Sequence, residues 1–341
     1  MIFFRQRCAV ANFNAQDLDQ CKEIANLCRE EAKKRIVGQT DITDGILTAL
    51  IAGGHVLLEG VPGLAKTLTV KTFSDITGLD FKRIQFTPDL LPADLIGTMI
   101  YEQNTAKFSI RKGPVFTNLV LADEINRAPA KVQSALLEAM AEKQVTIGDK
   151  THKLPSPFFV LATQNPIEQE GTYNLPEAEL DRFLLKLTVP YPTAEEEFQI
   201  VKNSISSDPE EIPVKKILTE KKIADMQTAL QSVTCDEKII EYIISLVSVT
   251  RSGIQANNSE GREDILRYIS FGASPRAGIA LQKCARITAM LDGRSFVLPD
   301  DVKKMAHAVL RHRLVLSYEA AADGLTADDI ITKILAFLPV P

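Results

Sequence analysis

The 341-residue chain has no tryptophan, only four histidines, and 6% aromatic residues. Its five cysteines (Cys8, Cys21, Cys28, Cys235, Cys284) are odd in number, widely spaced and without a CxxC pair. That argues against a disulfide framework and fits a reduced, cytoplasmic setting. Cys21 and Cys28 share a helical spacing and are expected as small core residues. No HExxH occurs, and His307 and His312 are badly spaced for joint ligation from one helix face. No apolar run approaches the ~20 residues of a membrane span. The start, Met1 to Arg7, lacks the order of a signal peptide. Low-complexity tracts and internal repeats are missing. So is a basic surplus: 39 Lys and Arg against 44 Asp and Glu give a net charge of −5 and a pI near 5.6. That balance argues against non-specific duplex DNA binding, although a local basic patch remains compatible with it.

Against these absences stands one loop. Gly60-Val61-Pro62-Gly63-Leu64-Ala65-Lys66-Thr67 follows the apolar run His55 to Glu59 and opens a helix-like stretch. A helix N-terminus offers unpaired N–H groups and a positive dipole end, which suit phosphate oxygens. Gly60 and Gly63 let the backbone wrap an anion, Lys66 can reach the β- and γ-phosphates, and Thr67 can place a hydroxyl on Mg²⁺. The general pattern wants glycine before the lysine. Ala65 is expected to be tolerated provided its φ stays negative.

The rest of the chain alternates strand and helix signals, then turns helical. Helices are expected at 14–34 (capped by Asn14), 41–51 and 67–77, and strands at 55–59 and 81–86. Residues 87–97 read as irregular, 99–110 as a hairpin, 118–122 as a buried strand and 130–143 as a helix. Residues 145–154 read as a second hairpin, 158–163 as a buried strand, 180–186 as helix and 187–189 as a last strand. After Pro190 and Pro192 come six helix candidates at 194–206, 219–231, 236–252, 275–291, 299–312 and 327–338. The fold class is α/β, a parallel sheet flanked by helices followed by an all-α lid. Its expected divisions are an N-terminal helical extension (1–35), a nucleotide-binding domain (36–190) and a lid (191–341).

Phosphoryl transfer to water needs charge neutralisation, magnesium and a positioned nucleophile. Asp123 ends a buried strand and can hold Mg²⁺ through water, and Glu124 follows and can polarise the attacking water. Asn165, just past strand 158–163, can donate to the γ-phosphate or simply start a turn with Pro166. Arg182 can reach a neighbouring subunit's γ-phosphate, or form a surface ion pair with Asp181 or Glu179. Arg276, at a lid helix start, can face phosphate or solvent.

Together, Gly60 to Thr67, Leu121-Ala122-Asp123-Glu124-Ile125-Asn126-Arg127, Ala162-Thr163-Gln164-Asn165-Pro166, Leu180-Asp181-Arg182-Phe183 and Ser274-Pro275-Arg276 resemble the AAA+ ATPases, and more narrowly the MoxR family. The likeness runs from Ile36 onward, and Ala65 itself matches that family's loop. It implies ATP and Mg²⁺ as ligands, with nucleotide contacts from Val37, Gly38 and Gly60 through Leu68. It makes Lys66 and Thr67 the Walker A pair, Asp123 and Glu124 the Walker B pair, Asn165 sensor 1, Arg182 the arginine finger and Arg276 sensor 2. It implies a homo-oligomeric ring, usually a hexamer, that remodels or assembles protein clients, often with von Willebrand A-type domains. The two hairpins resemble insertions that can line a ring pore. The alternatives are a nucleic-acid motor, for which Lys107, Arg111, Lys112, Lys150, His152 and Lys153 are the residues to inspect, and a chelatase-like metal-insertion subunit.

Overall fold

The computed structural model describes residues 15–61, 63–104, 106–166, 172–206, 208–251 and 265–341. Helix α1 (Ala15–Lys33) and helix α2 (Thr40–Ala52) lead into strand β1 (Val56–Glu59). Asn14, expected to cap α1, lies outside the described residues. Helix α3 (Lys66–Thr77) and strand β2 (Phe81–Gln85) follow, then a short helix α4 (Pro92–Ile96) inside the stretch expected to be irregular. The first hairpin is β3 (Gly97–Glu102) with β4 (Lys107–Lys112). Next come β5 (Leu119–Asp123), α5 (Ala130–Glu142), and a second hairpin of β6 (Gln144–Ile147) and β7 (Lys150–Lys153). The sheet region closes with β8 (Phe159–Gln164), α6 (Glu177–Leu180) and β9 (Leu185–Thr188).

The main sheet runs β2-β5-β8-β1-β9 with every pairing parallel. Parallel strands need both faces covered, so their sequences are continuous apolar runs. Val56, Leu57 and Leu58 are all buried, as are Leu119 to Ala122 and Phe159 to Ala162. One face packs on α1, α2 and α3 through Ile46, Leu50, Phe73 and Ile76, in a core continuous with the lid. The other packs on α5 and the hairpins through Phe86, Leu136, Met140 and Phe183.

One boundary differs from the sequence reading. Residues 180–186 do not form a helix: α6 stops at Leu180, a turn spans Asp181 to Leu184, and the strand starts at Leu185. Leu180, Phe183, Leu184 and Leu187 fall at helical spacing, but Leu185 and Leu187 also alternate inward as a strand requires. Pairing with β1 decided between the two periods.

Beyond β9 the chain forms α7 (Ala194–Ser206), α8 (Glu220–Ala229), α9 (Glu237–Val249), α10 (Pro275–Leu291), α11 (Pro299–Leu310), α12 (Tyr318–Ala322) and α13 (Ala327–Phe337). This helical lid also carries a small antiparallel ladder, β10 (Ile269–Phe271) with β11 (Val315–Leu316), which was not foreseen. Lid helix α11 packs on the edge strand β9, and Arg311 donates to the Lys186 carbonyl (3.3 Å) and the Thr188 hydroxyl (2.8 Å).

Candidate nucleotide site

Three strand ends converge. Leu57, Ala162 and Ala122 lie at one level of β1, β8 and β5. One step further along, the Thr163 hydroxyl donates to Asp123 Oδ1 at 2.6 Å and accepts the Glu124 N–H at 2.8 Å. All three strands point their carboxyl ends at the same place, the usual position of a ligand crevice in an open parallel sheet.

From the end of β1 the chain turns through Gly60 and Val61 into α3; Pro62 lies outside the described residues. At Gly63 the φ of +87° favours glycine, and an added Cβ would meet nothing within 4 Å, so the loop's outer side is open. Ala65 corrects the expectation of a negative φ: it sits at φ 53°, ψ 23°. The left-handed turn there starts α3 at Lys66, and a side chain limited to one methyl keeps the strain near 1 kcal/mol. Lys66 Nζ donates to the Gly60 carbonyl at 2.6 Å, which places the ammonium across the mouth of the loop. Thr67 and Leu68 follow in the first turn of α3, both half-buried.

The two carboxylates differ in surroundings. The Asp123 side chain is 11% exposed; Arg83 grips its Oδ2 through Nη2 (2.6 Å) and Nε (3.1 Å). Glu124 has φ 56°, a left-handed conformation that turns it out of the strand into the 3₁₀ turn of Ile125–Arg127. Its Oε2 accepts from Gln85 Nε2 at 2.8 Å and pairs with Arg127 Nε at 3.1 Å. Asn165 is buried immediately past β8.

The remaining arginines lie around Asp181. Arg182 is exposed and donates from Nη1 to the Leu137 carbonyl at 2.8 Å. Its neighbour Asp181 takes Arg313 Nε on Oδ1 (2.7 Å) and the Ser274 hydroxyl on Oδ2 (3.0 Å). Arg276, in the first turn of α10, lies 3.6 Å from Asp181 and is 66% exposed. The pairing with Asp181 weighed for Arg182 is made instead by the exposed Arg276 and the buried Arg313.

Beside the loop opens a cleft of about 820 Å³, lined by Val37, Gly38, Tyr191, Glu196, Lys304 and Arg311 among others. Gly38 has φ +68°, and a Cβ there would fall 2.2 Å from Glu196 Oε1. Gln39 Nε2 donates to the Leu64 carbonyl at 3.4 Å, tying the cleft wall to the Gly60–Ala65 loop. Val37 and Gly38 line this cleft. The donor chemistry suits magnesium: an Asp123 carboxylate and a Thr67 hydroxyl are hard oxygens. Among the described residues no three His, Cys, Asp or Glu side chains gather as ligands, so phosphate oxygens and waters would complete such an ion's shell.

Arg83, Gln85 and Thr163 were missed. Alternation marks Arg83 and Gln85 as polar positions of β2, two residues apart, but only the pairing of β2 with β5 brings them to Asp123 and Glu124.

Residues 55–185 match the model of the ATPase family associated with various cellular activities (AAA), and residues 263–334 match that of the AAA lid domain. The Chaperone MoxR1 of Mycobacterium tuberculosis is 47% identical over 311 residues, 91% of this chain and 81% of that one. The uncharacterized protein YeaC of Bacillus subtilis is 45% identical over 92% of this chain and 93% of its own. A crystal structure from Cytophaga hutchinsonii, described as a candidate ATPase, superposes with a TM-score of 0.86 at 46% identity, covering 96% of this chain and 97% of that one.

Proposed function

The chain belongs to the MoxR family of AAA+ ATPases, and from that premise we propose that it hydrolyses ATP with Mg²⁺ to remodel or assemble protein partners from within a homo-oligomeric ring. The observation that carries the proposal is the meeting of a phosphate loop, an Asp–Glu pair and a buried asparagine at the carboxyl ends of β1, β5 and β8. Lys66 and the N–H groups opening α3 hold the triphosphate, and Val37 and Gly38 flank the base in the adjoining cleft. Thr67 and Asp123 hold the magnesium ion. When bound, that ion neutralises phosphate charge during transfer. Glu124 orients a water and accepts its proton, and Asn165 holds that water or the γ-phosphate from the other side. Arg182 serves the site of the adjacent subunit, and Arg276 reaches phosphate from the lid. A six-membered ring and von Willebrand A-type clients extend the same proposal. The β3–β4 hairpin supports a client-facing role, because Tyr101 and Phe108 stand exposed on it, 52% and 65%, with rings 5.2 Å apart.

The Glu124→Gln variant tests the chemistry. Nucleotide binding by calorimetry should persist while phosphate release slows at least tenfold, a threshold set below the roughly 10²–10⁴-fold a general base contributes. Unchanged turnover would remove Glu124 from that role.

A further inference from the structure

Asp123 already has a cation. Arg83 places two nitrogens on its Oδ2, at 2.6 and 3.1 Å, while the Thr163 hydroxyl takes Oδ1 at 2.6 Å. The two partners differ in freedom. Thr163 is buried on the central strand β8. Arg83 lies on the edge strand β2, and its side chain is 49% exposed. The guanidinium therefore has solvent positions to move into, whereas the carboxylate is fixed.

We propose that Arg83 is the resident counter-cation of Asp123 and competes with the divalent ion for that carboxylate, so that it sets the magnesium concentration at which nucleotide is held. The inference rests on the reading of Asp123 as part of the nucleotide–magnesium site. A carboxylate so nearly buried is costly without a charge partner, and Arg83 supplies one as part of the fold. A second cation approaching Oδ2 meets a like charge within hydrogen-bond distance. Arg83 must then surrender both bonds, and the site's apparent metal affinity falls accordingly. Its remaining contact on the strand, Nη2 to Gln85 Oε1 at 3.0 Å, gives it a polar partner away from Asp123.

The test is a magnesium titration of the full chain with a fluorescent, non-hydrolysable ATP analogue. For Arg83→Gln the half-saturating magnesium concentration should fall about fivefold, a discount on a charged hydrogen bond for its exposure. Affinity for the analogue in EDTA should change by less than about twofold, since the loop's own donors are untouched. Arg83→Lys keeps the charge but loses the two-nitrogen grip, so its requirement should lie between the two; it decides the matter if the glutamine variant misfolds. Manganese binding followed by electron paramagnetic resonance, with the analogue present, should shift in the same direction. An unchanged or raised metal requirement in these variants overturns the inference alone. Failure of the wild-type chain to bind the analogue under any metal condition overturns the nucleotide reading and this inference together.

Discussion

His55 stands at the start of β1, where its Nδ1 accepts the Val160 N–H at 3.0 Å and its Nε2 faces the Met140 carbonyl at 3.2 Å. The accepting Nδ1 fixes the proton on Nε2 and leaves the buried ring neutral. Burial lowers its pKa from 6.5 to about 4, opposed by the Met140 carbonyl. His312, also buried, with Nε2 on the Phe183 carbonyl at 3.1 Å, is lowered too, by desolvation and then by Arg313. Since the unfolded chain takes up these protons first, stability is intact above pH 6.5 and is lost as pH falls from there toward 4. For His55 alone the full loss is about 3 kcal/mol. Denaturant midpoints at pH 7, 6 and 5 should show this slope, and His55→Gln should flatten it by about one proton. A slope identical in the variant would show that other groups dominate. At this scale the sequence disclosed unequal amounts. Lys66, Thr67, Asp123 and Glu124 were legible because loop and strand-end motifs are local in the chain. Arg83 and Thr163 were not, because they meet Asp123 only across strand pairing, 40 residues away in either direction. Ala65's left-handed backbone was likewise hidden, because a residue's identity favours φ values without dictating them.

The turn of Asp181 to Leu184 is the element that joins sheet and lid. Arg313, with a side chain 3% exposed, reaches across to Asp181 Oδ1 (2.7 Å) and to the Phe183 (2.7 Å) and Leu184 (3.2 Å) carbonyls. A buried guanidinium that loses its carboxylate is an uncompensated charge. Asp181→Ala should therefore cost about 3 kcal/mol, read as a lower denaturant midpoint, whereas an exposed pair would cost under about 1 kcal/mol. A midpoint within error of wild type would show that the carbonyls alone satisfy Arg313. The strand and helix signals on either side of this turn were readable from apolar spacing. The turn itself was misread as helix because its apolar residues satisfy two periods at once, and tertiary pairing chose the shorter. The β10–β11 ladder was unreadable for a related reason: two or three residues carry no period, and only the partner segment makes them strands.

For the whole molecule, the orientation of Arg182 matters most. It is exposed, and its Nη1 donates to the Leu137 carbonyl of α5. If Arg182 acts on a neighbouring subunit, ATP turnover per subunit should rise at least tenfold as concentration drives assembly, a threshold set well below the roughly 10³–10⁵-fold such arginines contribute. Arg182→Ala should assemble, by sedimentation, yet stay on the low plateau. A specific activity flat across the dilution series for the wild-type chain would make Arg182 a structural residue. Among the described residues no helix is long and apolar enough to cross a membrane, and the core runs unbroken from the sheet into the lid. Helix α1 is part of that continuity. It packs on α2 and α3 on one side and on lid helix α10 on the other, burying Leu18, Cys21, Ala25 and Cys28. It thus straps the seam between the two halves of the molecule. Parting those halves would therefore also strip water-excluded apolar surface from α1, so the strap resists separation by the burial it would forfeit.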